Sequence, residues 1–88
     1  MRINNRYKLR QVARENVILI QGVTDGDMTK VIAFNNTSTM LWNEFKDREF
    51  EQNDVAQYLF DTFEVDAEVA KKDANEWIDT LVKNNLIV

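Results

Sequence analysis

The chain has no cysteine and no histidine. Those two absences exclude disulfides, thiolate nucleophiles, the usual zinc ligands and the side chain best suited to proton transfer at neutral pH. Most enzyme mechanisms go with them, so the expectation is a protein that is no enzyme and uses no metal or cofactor. Proline is also absent and glycine occurs only twice. No linker composition therefore divides the 88 residues, and a chain of this length has room for one domain, residues 1–88. No apolar run approaches the roughly 20 residues of a membrane span, and the start Met1-Arg2-Ile3-Asn4-Asn5-Arg6 lacks the apolar centre of a signal peptide. A cytoplasmic protein with no membrane partner is expected.

What is present is ordinary for a globular domain, with 44% hydrophobic and 30% charged residues. A net charge of -4 argues against nucleic acid as a partner, because neutralising phosphates needs a basic face. The charge is unevenly spread. Residues 1–14 hold Arg2, Arg6, Lys8, Arg10 and Arg14 with no acid, whereas the remainder is strongly acidic. Such a basic arm serves as a contact surface or, more commonly, as charge that protects an exposed sheet edge.

The stretch Ala33-Phe34-Asn35-Asn36-Thr37-Ser38-Thr39-Met40-Leu41-Trp42 is the junction of the chain. An apolar strand runs into a polar corner, whose asparagines and hydroxyls can satisfy the unpaired N–H groups of a helix start, and leaves it as an amphipathic helix. Before the corner, Tyr7, Leu9 and Val12/Ala13 among basic residues read as a half-buried strand over Tyr7–Ala13. Val17-Ile18-Leu19-Ile20 makes a second strand over Asn16–Gln21. Thr24-Asp25-Gly26-Asp27 carries the Asp-Gly pair of a tight turn, and Val31–Phe34 resumes beyond it as the third. After the corner, Met40, Leu41, Trp42 and Phe45 form the stripe of a helix from about Thr37 to Phe45. Lys46–Glu49 is a charged loop, and Phe50 plugs a gap between sheet and helices. Asn53 or Asp54 caps a second helix whose face is Val55, Leu59 and Phe63, widened by Ala56 and Phe60. Asp66 caps the third and longest helix, with Glu68 in its first turn, a stripe of Ala70, Ala74, Trp77 and Leu81 broadened by Ile78 and Val82, and Asn84-Asn85 as a left-handed stop. Leu86–Val88 tucks back as an extended segment. The order predicts an α+β fold, a small three-stranded antiparallel sheet followed by three helices.

A series of residues running through these elements carries a resemblance. It begins at Tyr7-x-Leu9-Arg10, passes through Ala33-Phe34-Asn35-Asn36-Thr37-Ser38-x-x-Leu41-Trp42, and continues with Phe50, Asp54-Val55-Ala56-x-x-Leu59 and Phe63-x-Val65-Asp66. It ends in Asp73-Ala74-x-x-Trp77-Ile78-x-x-Leu81-x-x-Asn84-x-Leu86-Ile87. In order and spacing this resembles the PqqD family, small peptide-chaperone domains also called recognition elements of ribosomally made, post-translationally modified peptides. The corner is the most specific piece, resembling the family's Leu-Asn-x-Thr-Ala-x-x-apolar pattern. The chain departs from the common pattern at Lys46-Asp47-Arg48, where the family has a glycine, and at Asn85-Leu86-Ile87, where the family often ends Gly-apolar-apolar.

The resemblance implies a winged-helix-like domain that binds the leader segment of a precursor peptide and presents it to a modifying enzyme, often a radical SAM protein. It implies that the leader adds as a strand beside the third strand, at Lys30, Val31, Ile32, Ala33, Phe34 and Asn35, and packs against the third helix, at Val69, Lys72, Asp73 and Glu76. Because side chains alternate along a strand, Ile32 and Phe34 are expected to face the helices and Val31 and Ala33 the opposite side. The same exposed edge is open to a second copy, so a homodimer is allowed.

Competing readings are weaker. Asp73, Glu76 and Asp79 at helical i, i+3 and i+6 are a solvated acidic face before they are catalytic carboxylates, with no serine beside a base and no glycine loop to accompany them. Trp42 and Trp77 read as core aromatics rather than a stacking platform for nucleotides. The alternative of another class is a winged-helix DNA-binding or transcription-regulating module. Against it, Val65–Asp79 carries Glu68, Asp73, Glu76 and Asp79 besides Asp66, with only Lys71 and Lys72 to offset them.

Overall fold

The computed structural model describes residues 1–21 and 29–88, with side chains described for 1–20 and 31–88. It has the α+β order of three antiparallel strands followed by three helices: β1 (Arg10–Val12), β2 (Glu15–Gln21), β3 (Thr29–Phe34), α1 (Asn36–Phe45), α2 (Gln52–Phe63) and α3 (Ala67–Lys83). The chain divides into two compact units, Asn5–Glu44 and the combination of Met1–Asn4 with Phe45–Val88.

In the unit Asn5–Glu44 the strand order is β1-β2-β3. The pair Val12↔Glu15 closes the first hairpin and leaves Ala13 and Arg14 as a two-residue loop with φ of 51° and 70°. Two positive φ values are what a type I′ turn requires, because only that twist matches the flanking strands. The expected strand over Tyr7–Ala13 is thereby corrected. It is three residues long, all of them exposed, and Ala13 belongs to the turn; half-buried Tyr7 and Leu9 lie ahead of it. No glycine or asparagine marks this turn, so its chemistry was silent in the sequence.

β2 and β3 pair from Asn16↔Phe34 to Gln21↔Thr29, so β3 begins two residues before Val31; the turn expected at Thr24–Asp27 lies outside the described residues. Directly paired residues share a face. Ile18, Ile32 and Phe34 lie on one face, where Ile18 and Phe34 are buried, and the Phe34 ring meets Trp42 of α1 edge-on at 5.7 Å. Val31 and Ala33 lie on the other face and are exposed, as the alternation predicts.

In the other unit, an aromatic cluster sets the interior. Phe50 is buried, with its ring 5.0 Å from Phe45 and 6.4 Å from Trp77, and Tyr58 meets Phe45 edge-on at 5.8 Å. The rings around Phe50 are thus helical ones. α2 starts at an N-cap of Glu51, whose N–H donates to the Asp54 carboxylate at 2.8 Å. Asp54 therefore reaches back from the third helical position as half of a capping box, which corrects the expected cap at Asn53 or Asp54. Val55, Ala56 and Leu59 are buried, but Phe60 and Phe63 are exposed. At about 100° per residue Phe60 falls well off the Val55–Leu59 centre. Phe63 is the last residue before Glu64 ends the helix in the left-handed conformation.

α3 buries Ala70, Ala74, Trp77, Ile78 and Leu81 and leaves Val82 exposed on its flank, a correction to the broadened stripe. Its end is a Schellman motif. Asn85 has φ 58°, its N–H donates to Val82 O at 3.1 Å, and Leu86 N–H donates to Leu81 O at 2.9 Å. Leu86 is then buried, and the tail pairs antiparallel with the chain start. Ile3 bridges Ile87, Asn4 N–H donates to Leu86 O at 2.7 Å and Val88 N–H donates to Arg2 O at 2.8 Å. Phe50 N–H in turn donates to Met1 O at 2.9 Å.

Two substitutions test these assignments. Replacing Ala13→Asn together with Arg14→Gly installs the Asn-Gly pair that tolerates positive φ and so lowers the cost of the two left-handed residues, roughly 1–2 kcal/mol each at the upper end. It should raise the calorimetric Tm by several degrees; an unchanged or lower Tm would mean that the hairpin turns differently in solution. Phe50→Ala should lower stability by about 3–5 kcal/mol, a large part of the roughly 5–15 kcal/mol a domain possesses. Urea unfolding reads this directly, and a loss below about 1 kcal/mol would remove Phe50 from the interior.

Candidate functional site

β3 is an edge strand, hydrogen-bonded to β2 alone among the described residues. Alternate residues of its six therefore turn their N–H and C=O groups away from the sheet. Of the predicted receiving residues, Lys30, Val31, Ile32, Ala33 and Phe34 lie within β3. Asn35 follows it and does different work. Its Oδ1 accepts the Ser38 N–H at 2.8 Å and its C=O accepts the Thr39 N–H at 2.9 Å, so it is the N-cap of α1. The Thr39 hydroxyl does not share that role: its Oγ1 is buried without a hydrogen-bond partner.

The four predicted residues of α3, Val69, Lys72, Asp73 and Glu76, are all exposed. With a spacing of i, i+3, i+4 and i+7 they share one flank of the helix. Asp79 is exposed as well. The β3 set lies in the unit Asn5–Glu44 and the α3 set in the other. Each set is coherent on its own element, the first as a free backbone edge and the second as a solvated helix flank.

The structure also contains a feature to which the sequence reading gave no candidate. An open groove of about 330 Å³ runs between α2 and α3, lined by Asn53, Ala56, Gln57 and Phe60 on one side and Ala67, Ala70 and Lys71 on the other. Ala67 and Lys71 fall on the flank of α3 opposite Val69 and Glu76. The signal available in the sequence is the set of small residues Ala56, Ala67 and Ala70 beside Phe60, of which Ala56, Ala70 and Phe60 fall on the expected core faces of the two helices.

What β3 offers is a row of backbone donors and acceptors flanked by aliphatic side chains on both faces, an arrangement that binds an extended chain. The family profile that matches this sequence is PqqD, coenzyme PQQ synthesis protein D, over residues 5–87. The chain belongs to the PqqD family. Membership implies a peptide-binding, accessory part in biosynthesis of the PQQ type. No curated protein and no solved structure matches the chain. Among the described residues, no helix of this PqqD-family chain is long and apolar enough to cross a membrane.

The cap is the testable element of this corner. Asn35→Ala should cost about 1 kcal/mol of stability, while Asn35→Asp, which keeps an acceptor oxygen, should restore most of it. Thermal unfolding of the two variants compares them, and equal losses would show that the side-chain oxygen does not hold the start of α1.

Proposed function

We propose that this PqqD-family protein binds the leader segment of a ribosomally made precursor peptide by strand addition to β3 and presents it to a modifying enzyme of the radical SAM type. It acts in the cytoplasm as a non-catalytic chaperone, its residues 1–88 working as one peptide-binding domain. The observation that supports the reading is the outer edge of β3, six residues long and, among the described residues, paired on one side only. Each backbone hydrogen bond made there contributes on the order of 0.5–1.5 kcal/mol net. Such bonds are indifferent to sequence, so selectivity falls to the leader's alternate side chains, which meet Ile32 and Phe34 on one face and Val31 and Ala33 on the other. The exposed flank of α3, with Val69, Lys72, Asp73 and Glu76, is the second surface proposed to meet the leader. Asn35 marks where the receiving edge stops.

An NMR titration of labelled protein with the leader of a precursor encoded beside it tests the reading. Amide shifts should cluster over Lys30–Asn35 and over the Val69, Lys72, Asp73 and Glu76 flank. Shifts that are absent, or confined to residues 1–14, would overturn it.

A further inference from the structure

The strand register brings a second surface into view. Because Arg10 pairs with Val17, Val12 with Glu15, Val17 with Ala33 and Leu19 with Val31, all of these side chains project from one face of the sheet, the face opposite Phe34. A solvated face of an antiparallel sheet alternates to polar residues. This one presents Val12, Leu19 and Val31 at 53%, 39% and 56% exposure, with exposed Ala33 beside them. Val17 in the middle is buried. Exposed aliphatics gathered on one strand face mark a contact surface rather than scatter.

We propose that this face docks a folded protein partner whose contact patch is apolar at its centre and acidic at its margin, and that this partner is the modifying enzyme. The assignment rests on the peptide-binding reading above for the identity of the partner. The leader itself is too narrow to be the occupant. A strand added beside β3 neighbours Val31 and Ala33, whereas Leu19 lies one strand further in and Val12 two, roughly 5 and 10 Å from β3. Covering them takes a surface, not a strand.

Charge fixes the character of that surface. Arg10 projects from this face and Arg14 sits in the turn next to Val12, both exposed; the one acid on the face among the described residues is Glu15. Residues 1–14 contain no acid at all. The unit Asn5–Glu44 carries a net charge of +1 and the rest of the chain -5, giving the total of -4. Two copies stacked face to face with β1 over β1 would bring Arg10 and Arg14 against their own kind, and with β1 over β3 would set them against Val31 and Ala33, so neither arrangement gives the arginines an acidic counterpart. A head-to-tail contact between the basic face and the acidic unit of another copy builds open arrays unless its rotation closes. A different protein with an acidic margin satisfies both constraints and leaves the β3 edge free for the peptide.

The test measures two affinities on the same samples, for the leader peptide and for the purified modifying enzyme encoded beside it, using wild type and the Arg10→Glu/Arg14→Glu double variant. Both positions are exposed, and circular dichroism checks that the variant folds. The enzyme should bind the variant at least about tenfold more weakly, and its affinity for wild type should fall between about 0.05 and 0.3 M salt, while leader affinity stays within about twofold. An enzyme that does not bind, or that binds both forms alike, overturns the docking surface. So does sedimentation showing a wild-type dimer that the double substitution dissociates, since the face would then be a contact between copies. Absence of leader binding to wild type is read on the peptide arm alone and sinks the peptide reading, not the surface.

Discussion

One side-chain oxygen allows this chain to pass from sheet to helix. A helix start orphans backbone N–H groups, and a strand that runs straight into a helix has no turn in which to satisfy them. Asn35 resolves this with two bonds from one residue, its Oδ1 taking the Ser38 N–H and its C=O the Thr39 N–H. The consequences extend in both directions. Upstream, β3 ends at Phe34, whose pairing with Asn16 is the last of the register and whose ring is placed against Trp42. Downstream, ten helical residues lead to Phe45, the ring that Phe50, Tyr58 and Trp77 all approach. The residue that closes the proposed receiving edge is therefore also the one on which the geometry of the edge depends.

The sheet presents two kinds of surface. Its β3 edge offers backbone groups in a plane, which any extended peptide can use and which side chains must then make selective. The face carrying Leu19 and Val31 offers aliphatic area with arginines at its β1 side, which suits a surface rather than a strand. Because edge and face are at right angles, occupation of one does not consume the other. A chaperone that holds a peptide while touching the enzyme that modifies it needs two such non-competing surfaces.

Local signals in the sequence were legible where one residue type had one reason to be there. The asparagine at the corner, the alternating four- and three-residue spacing of Ala70, Ala74, Trp77 and Leu81, and the Asn84-Asn85 stop each match the expectation. Misreadings arose where tertiary context decided between equals. Ala13 and Arg14 turn a hairpin with no residue that favours positive φ, because a two-residue loop must match the strand twist whatever its sequence. Glu51, not Asn53 or Asp54, caps α2, since Asp54 does its capping from inside the helix. Phe60 and Phe63 obey the apolar pattern yet stay exposed. The pairing of Ile3 with Ile87 joins the ends of the chain and has no local signature at all. For the candidate site, alternation alone sorted Val31 and Ala33 from Ile32 and Phe34. Helical spacing likewise left Val69, Lys72, Asp73 and Glu76 outside the buried stripe, but the groove between α2 and α3 depends on how two helices pack and was invisible.

A three-stranded sheet has two edges, and the sequence treats them differently. β1 is three residues long, fully exposed, and ends in a tight turn, with Arg10 on the strand and Arg14 in that turn. Short length and positive charge are devices that keep another strand from adding. β3 is twice as long, and Lys30 is its only charged residue. If both edges were merely surface, the same protection would be expected on each, since an unprotected edge of six residues invites pairing with other chains. Protection on one side alone makes sense when the other must remain available. The basic character that bars a strand from β1 then costs nothing in recognition, because an acidic margin approaching the face of the sheet meets the same arginines from a direction in which they attract.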